Sequence, residues 1–129
     1  MASGDLHVDD VTTAARGRAG EDATAAVYER RGYRVLERNW RCPIGELDLI
    51  VGREDDEDLL VVCEVKTRTG SSFGGGYESV TWSKRRKLRR LAEVFVLERG
   101  LHDARIRFDV ASVWLGTRGA DVELFEDAF

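Results

Sequence analysis

The stretch LLVVCEVK, residues 59–66, constrains the fold most, because an apolar and β-branched run ends in an acid and a lysine. Residues of this type favour strands, and the run predicts a central strand of a sheet. Residues two apart in a strand share a face, so Glu64 and Lys66 lie on the same side as Leu60 and Val62. A buried charge is costly unless it is paired or bound to a metal. This strand end is therefore the first candidate for a functional site.

The segments around this strand alternate between helical and strand patterns. In chain order they are a helix over 14–31, strands over 33–40, 46–52 and 59–66, a helix from Thr81 or Ser83 to Glu98, a strand over 105–115 and a short strand over 122–125. A strand, a helix and another strand favour a right-handed parallel crossover. We therefore predict an α/β fold, in which helices flank a central mixed sheet of about five strands in the order αβββαβ.

The chain has 129 residues, which is enough for one domain and not for two of ordinary size. Residues 1–13 are polar and aperiodic, so we expect a flexible N-terminal tail before a single domain over 14–129. Residues 69–78 are rich in glycine and serine and predict a loop. This loop could touch a nucleic-acid backbone or serve only as a connector.

The apolar segments and the two cysteines indicate a cytoplasmic protein. No run of about 20 apolar residues is present, which predicts no transmembrane helix. The N-terminal residues show no basic region followed by an apolar run, so no secretory signal is expected. The cysteines, Cys42 and Cys63, do not form a CxxC metal-binding pair. We therefore expect the protein to lie in a reducing compartment and to make no contact with a membrane.

Charge is unevenly distributed along the chain, although the formal net charge is only −4. Acids are concentrated in the run 54–58 and between Asp121 and Asp127, whereas KRRKLRR at 84–90 is strongly basic. The six cations of that run are Lys84, Arg85, Arg86, Lys87, Arg89 and Arg90. Local field matters more than total charge for a polyanionic partner, so this run is a candidate nucleic-acid-binding surface. The alternative is an ordinary solvated helix face.

A second carboxylate can reach the end of the central strand. Within ELDLIV, residues 46–51, strict alternation places the even-numbered side chains on one face and the odd-numbered ones on the other. A hairpin with the central strand can then bring Asp48 beside Glu64. Two carboxylates on adjacent strands suit Mg²⁺, and the ammonium of Lys66 can hold a water and stabilise charge on a phosphoryl oxygen. The alternative is a surface ion pair between Glu64 and Lys66.

The first helix offers a third carboxylate. One face of this helix contains the small or apolar residues Gly17, Ala25 and Tyr28 and a single acid, Glu21. If that face packs on the sheet, Glu21 could be a third oxygen ligand of the metal, either directly or through water. Alternatively, Glu21 could pair with Arg18 or Arg41 and have only a structural role.

Two long segments carry a resemblance to a known family. GRAGEDATAAVYERRGYRVLERNWRCPIGELDLIV, residues 17–51, and VVCEVKTR, residues 61–68, resemble the YraN-type family of small bacterial proteins of uncharacterised function. That family is similar to the PD-(D/E)xK nuclease superfamily, close to archaeal Holliday-junction resolvases. The resemblance covers about Gly17 to Phe125, and its most specific pieces are GE, RNWR, GELDLI and EVKTR.

The resemblance implies a restriction-endonuclease-like core and a set of site residues. The superfamily acid falls on Asp48, its Glu and Lys fall on Glu64 and Lys66, and the acid of helix one in resolvases falls on Glu21. The implied cofactor is Mg²⁺ or Mn²⁺, with Asp48, Glu64 and Glu21 as metal ligands and Lys66 as a further catalytic group. The implied reaction is hydrolysis of nucleic-acid phosphodiesters in DNA, with branched structures among the candidate substrates.

Two other classes of function remain open at this point. The chain could be a nucleic-acid-binding module with the same fold and no catalysis, or an adaptor for other proteins. Leu97, opposite the apolar stripe of the second helix, could support a homodimer. Asp109 lies within a strand as a supporting acid or an ion-pair partner, and it is left outside the site. Three tryptophans could either stack on bases or pack in the core, namely Trp40, Trp82 and Trp114.

Overall fold

A computed structural model describes residues 8–69 and 80–129, with side chains from residue 13 onward. Two helices and five strands follow in the order α1 (Val8–Arg30), β1 (Tyr33–Cys42), β2 (Gly45–Arg53), β3 (Asp56–Thr69), α2 (Trp82–Arg99), β4 (Arg105–Gly116) and β5 (Gly119–Phe125). Residues 1–7 of the expected tail and residues 70–78 of the expected loop lie outside the described part. The division into a tail and one domain therefore stays a prediction.

All five strands belong to one sheet, and their order in space is the same as their order in the chain. Neighbouring strands are antiparallel except for β3 and β4, which run parallel. The parallel pair is joined by the segment that contains α2, as a parallel pair requires a crossover. The predicted fold class, a mixed sheet of about five strands with flanking helices in the order αβββαβ, is confirmed, and β5, the short strand expected over 122–125, is its fifth strand.

Each face of the sheet has its own hydrophobic core. Leu60 and Val62 pack with the buried side of α2, whereas Val61 and Cys63 pack with Ala25 and Tyr28 of α1. This separation matches the alternation predicted for LLVVCEVK. By the same alternation, the next even-numbered positions of β3, 64 and 66, face the α2 side.

The strict alternation predicted for ELDLIV is wrong at one position. Leu47 was expected to share a face with Leu49, but Leu47 packs in the α2 core with Ile50, while Leu49 packs in the α1 core. The pleat is therefore interrupted at Asp48, between these two leucines. The partner strand shows a matching irregularity, since Asn39 has a φ of 51°, in the left-handed region.

Helix α2 agrees closely with the expected boundaries. The Thr81 hydroxyl accepts a hydrogen bond from the backbone N–H of Lys84, at 3.2 Å, and Gly100 ends the helix with a φ of 66°. The predicted stripe is buried in full, and its members are Leu88, Leu91, Ala92 and Phe95. Helix α1 begins at Val8 rather than at Ala14, because residues 8–13 contain no glycine or proline to end it. Neither described helix is long and apolar enough to cross a bilayer.

A close approach between α1 and β3 sets the position of the first helix. Gly20 is buried against Thr67, and a Cβ atom built on Gly20 would lie 1.9 Å from Thr67 Oγ1 and 3.0 Å from its Cβ. Only glycine allows this approach without displacement of the strand or the helix. The contact places Glu21, the next residue, beside the second half of β3.

The packing of α1 predicts opposite effects for one substitution at two glycines. Gly20→Ala should lower the free energy of unfolding by about 1–3 kcal/mol, because the added methyl group overlaps Thr67. Gly17→Ala, in the same helix, places its methyl group where, apart from its chain neighbours and the adjacent helix backbone, no described atom lies within 4 Å. It should instead raise the free energy of unfolding by up to about 1 kcal/mol, through helix propensity alone. Urea denaturation measures both changes, and equal effects of the two substitutions would contradict the close approach.

Candidate functional site

Asp48 lies where strands β2 and β3 separate. The paired residues of these strands run from Arg53 and Asp56 to Leu49 and Cys63. Just beyond the last pair, the backbone N–H of Val65 donates a hydrogen bond to Asp48 Oδ2, at 2.9 Å. A side-chain carboxylate thus takes the place that a backbone carbonyl would have in a continued ladder, and it satisfies a donor that would otherwise lack a partner there. The Asp48 carboxyl group is therefore held against β3.

Glu64 is close enough to Asp48 to change its titration. The pKa of Asp48 is raised to about 7, first by burial and then by the negative charge of Glu64. A hydrogen bond between the two carboxyl groups, which needs a proton on one of them, raises the pKa further, and so does the charge of Glu21. The structure therefore brings together Asp48 and Glu64, as expected from the hairpin, and places Glu21 within electrostatic range.

Glu64 also contacts a lysine of the basic helix. The Lys84 ammonium lies 3.3 Å from Glu64 Oε2, and the Glu64 side chain is only 11% exposed while that of Lys84 is 43% exposed. Sequence reasoning assigned Lys84 to nucleic-acid binding and missed this ion pair. Twenty positions separate the two residues, and only the crossover geometry of α2 brings them together.

Lys66 follows Glu64 on the same side of β3, and its side chain is half-buried. Its backbone lies opposite that of Ser112 in β4. No carboxylate among the described side chains, residues 13–69 and 80–129, forms an ion pair with Lys66, so the alternative of a Glu64–Lys66 ion pair is not observed there. The Lys66 ammonium is thus able to bind a further anionic or polar group.

Glu21 is held from β1 by a residue to which sequence reasoning assigned no role. The side-chain amide of Asn39 donates a hydrogen bond to Glu21 Oε1, at 2.9 Å. Burial raises the pKa of Glu21 most strongly, and the charge of Glu46 raises it as well, while the Asn39 bond opposes them. The suggested partner Arg41 pairs with Glu46 instead, at 2.8 Å. The RNWR motif, and the tendency of asparagine to adopt the left-handed region, are sequence signals that could have indicated Asn39.

The oxygen donors at this point fit a divalent cation in part. Asp48 and Glu64 are two partly buried carboxylates whose mutual repulsion a positive charge would relieve. Within the described ranges, no group of three or more His, Cys, Asp or Glu side chains is arranged to hold one ion. Mg²⁺ often uses one or two carboxylates and completes its shell with water and substrate phosphate. The pair fits such an ion, and the role of Glu21 as a third ligand stays a prediction.

The six cations of α2 meet different partners. Lys84 reaches Glu64, while Arg85 donates from Nε to the carbonyl of Val80, at 2.9 Å, and lies over the ring of Phe129. The others line a groove of about 480 Å³ with Ser83 and Ile44, and they are Arg86, Lys87, Arg89 and Arg90. Arg89 also lies over the ring of Phe129, at 5.6 Å. Four of the six expected cations are therefore gathered at one groove.

Asp109 lies outside the site, as expected from the sequence, and it has a clear structural role. It is fully buried and accepts hydrogen bonds from the Tyr28 hydroxyl, at 2.6 Å, from the Arg107 guanidinium and from the backbone N–H of Asp127. Of its two expected roles, the ion-pair partner is the one observed. These bonds join α1 to β4 and to the C-terminal segment.

The raised pKa of Asp48 predicts a dependence of stability on pH. In the unfolded chain this carboxyl ionises near its ordinary value of 3.8, but in the folded protein it ionises only near pH 7. The free energy of unfolding therefore falls as the pH rises from about 4 to 7, and it stays lower above pH 7. Asp48→Asn, which keeps an oxygen for the Val65 N–H, should unfold at a higher temperature than wild type at about pH 8 and show little difference at about pH 4.

The control for this prediction is Asp121→Asn, which removes an exposed carboxylate from β5. Thermal unfolding followed by circular dichroism, with a chelator present, compares the three proteins over the pH range. The raised pKa would be contradicted if the difference in unfolding temperature between Asp48→Asn and wild type did not change with pH. It would also be contradicted if Asp121→Asn showed an equal difference.

Comparisons with known proteins agree with the resemblance noted in the sequence. A UPF0102 protein of Moorella thermoacetica is 45% identical over 121 residues, covering 92% of this chain and 98% of that protein. A UPF0102 protein of Mycobacterium sp. (strain KMS) is 46% identical over 105 residues, covering 81% of this chain and 77% of that protein. Another, of Rhodococcus jostii, is 40% identical over 116 residues, covering 89% and 96%.

A solved structure shows weaker similarity. Pyrococcus furiosus SfsA, determined in complex with Ca²⁺, aligns with a TM-score of 0.44 and 13% sequence identity. The match covers 84% of this chain and 63% of the SfsA chain, so this chain spans less than two thirds of that protein. A similarity of this size carries no argument about function.

The family itself is established by sequence. The model of the family described as uncharacterised protein family UPF0102 matches residues 20–113, a range that contains Glu21, Asp48, Glu64 and Lys66. The relatives cover most of this chain at 40–46% identity. The expected membership of the YraN-type family is confirmed, and the chain belongs to the uncharacterised protein family UPF0102.

Proposed function

We propose that this protein is a metal-dependent nuclease that hydrolyses phosphodiester bonds of DNA, with branched DNA among its substrates and Mg²⁺ or Mn²⁺ as its cofactor. The proposal is carried by one observation, the pair of Asp48 and Glu64 at the point where β2 and β3 separate. Burial and the negative charge of Glu64 raise the pKa of Asp48, so the protein alone stabilises the Asp48 anion poorly. A bound cation and a phosphate ester would complete the charge balance of this site.

Each residue of the site has a distinct part in the proposed reaction. Asp48 and Glu64 would hold the metal ion, with Glu21 as the third expected ligand. The ion would supply the positive charge that makes a water more acidic and offsets the charge of the phosphate. Lys66 donates a hydrogen bond to the attacking water and lies where it can offset charge on a phosphoryl oxygen.

The overall reaction joins a water oxygen to phosphorus and breaks the bond between phosphorus and one bridging ester oxygen, which takes up a proton. The cations of α2 bind phosphates on either side of the scissile bond. Because phosphate contacts carry no sequence information, this surface predicts cleavage without sequence preference. Four of those cations share one groove, which supports a strand path along α2.

The cleavage assay that tests this proposal compares wild type with Lys66→Ala. Wild type should cut plasmid or four-way-junction DNA in Mg²⁺ or Mn²⁺, and Lys66→Ala should cut at least about 100-fold more slowly, because it lacks the group that orients the water. Gel electrophoresis of end-labelled DNA measures the rates. Arg34→Ala is the control, since it removes an exposed cation from the part of β1 that pairs with Gly52, away from Asp48.

Inactivity of wild type on every substrate, or equal rates for wild type and Lys66→Ala, would refute the nuclease proposal. Loss of activity in Arg34→Ala as large as in Lys66→Ala would show that the assay reports on total charge rather than on this site.

A second candidate function is a nucleic-acid-binding module without catalysis, and the Lys84–Glu64 ion pair favours it. This lysine already neutralises the carboxylate that the metal needs. In a pure binding module the pair would be permanent and would only fix α2 on the sheet. In the nuclease, Lys84 would move from Glu64 to a phosphate when metal and DNA bind.

The competition between Lys84 and a metal ion can be measured without DNA. Lys84→Met removes the charge and keeps a side chain of similar length. Mn²⁺ should then bind up to about fivefold more tightly, because it no longer has to displace a partly exposed ion pair from Glu64. Lys87→Met is the matched control, because Lys87 lies over Gly45 and lines the groove instead. Isothermal titration calorimetry gives both affinities. Unchanged Mn²⁺ binding in Lys84→Met, or none in wild type, would favour the binding module.

We propose the cytoplasm and a homodimer as the setting of this activity. Cys42 and Cys63 are free thiols, as expected in a reducing compartment. Leu97 is 69% exposed on α2, which supports a contact with a second copy of the chain. Two copies related by a two-fold axis would suit the symmetry of a DNA junction.

A further inference from the structure

Trp82, the first residue of α2, is 70% exposed, and among the described large apolar side chains only Leu97, near the other end of α2, is similarly exposed at 69%. Trp40, in contrast, is 6% exposed and packs edge-on against Phe95 in the α2 core. A large aromatic ring left in water forgoes the stabilisation that burial would give. Core packing therefore does not account for Trp82, although it accounts for Trp40.

One side of the Trp82 ring is already covered by a cation. The guanidinium of Arg86, one helical turn later, lies 5.0 Å from the centre of the indole ring. The same Arg86 lines the groove that also contains Lys87, Arg89 and Arg90. The ring is thus held beside a cationic groove, and its high exposure leaves surface available to a second flat group.

We propose that Trp82 stacks on an unpaired base of a nucleic-acid strand whose phosphates lie in the groove of Arg86, Lys87, Arg89 and Arg90. This inference rests on the proposed function only for the class of partner, and it adds which form of nucleic acid is recognised. In a continuous duplex both faces of each base are covered by neighbouring bases, so a tryptophan finds a free face only where a base is unpaired or unstacked. Stacking of this kind does not depend on base identity.

Charge favours a nucleic acid over a protein at this surface. The groove lining contains four cations and no acid among the described residues, and the first turn of α2 contains no acid. A polyanion with flat, partly apolar groups matches both parts of the surface at once, whereas an apolar protein segment would leave the cations without partners.

The position of Trp82 relates this surface to the carboxylates. Lys84, two residues along the helix and about 200° around its axis, contacts Glu64, so a strand stacked on Trp82 would have to cross the N-terminal end of α2 to reach Asp48 and Glu64. The preferred substrate would then have a single-stranded segment or a branch point beside the bond to be cut. This is a narrower substrate class than DNA in general.

The test is a binding measurement in a chelator, which needs no catalysis. Fluorescence anisotropy at one fixed salt concentration compares three labelled ligands with similar numbers of phosphates: a single strand, the same strand with abasic sites, and a closed dumbbell duplex without free ends. Wild type should bind the single strand most tightly. Trp82→Ala should weaken that binding about 5- to 150-fold, and should change binding of the abasic strand and the dumbbell by less than about twofold.

Trp82→Phe separates stacking from folding, because it keeps an aromatic ring at the same position. It should bind the single strand within about fivefold of wild type. Equal binding of the single strand and the abasic strand by wild type, or an equal loss for all three ligands in Trp82→Ala, overturns the inference. So does unchanged single-strand binding in Trp82→Ala.

The outcomes also distinguish this inference from the proposed function. If Trp82→Ala selectively loses single-strand binding while wild type cuts no DNA in Mn²⁺, the stacking site stands and the nuclease proposal fails. If wild type cuts DNA but its binding shows no dependence on exposed bases, the nuclease stands and the stacking site is refuted. If wild type binds none of the three ligands, the stacking site is refuted, and the cleavage assay alone decides the nuclease proposal.

Discussion

The hydrogen bond from the Val65 N–H to the Asp48 carboxylate is the contact on which the site depends. It lies where the ladder between β2 and β3 ends, so the same carboxylate closes the ladder and faces the end of β3. This position is partly buried and adjacent to Glu64, which is why the pKa of Asp48 rises to about 7. The Asp48 carboxylate accepts a hydrogen bond from the backbone, but its surroundings disfavour its negative charge. It is therefore suited to bind a cation.

Features that depend on local periodicity could be predicted from the sequence. The alternation of β3 and the apolar stripe of α2 follow from the geometry of one strand and one helix, and both appear in the two cores. The proximity of Asp48 and Glu64 also followed, because a hairpin relates adjacent strands in a simple way. The predicted order of helices and strands is compatible with only a few sheet topologies, and the observed mixed five-strand sheet is one of them.

Features that depend on departures from regular geometry, or on distant contacts, could not be predicted. The opposite packing of Leu47 and Leu49 results from an interrupted pleat at Asp48, which strict alternation does not contain. The pairing of Lys84 with Glu64 depends on how the crossover places α2 over the sheet. The basic run likewise looked uniform in one dimension, but a helix distributes its members around its axis, so they meet different partners.

The placement of α2 has a consequence for how this chain can vary. A single helix connects the two parallel strands, buries its apolar stripe, and carries Trp82 and Lys84 at its start. Insertion of one residue between that start and the stripe would turn the first part by about 100° relative to the rest. The number of residues between Thr81 and Leu88 is therefore under tighter constraint than the identity of most exposed residues among them, and insertions are expected to be tolerated only outside this span.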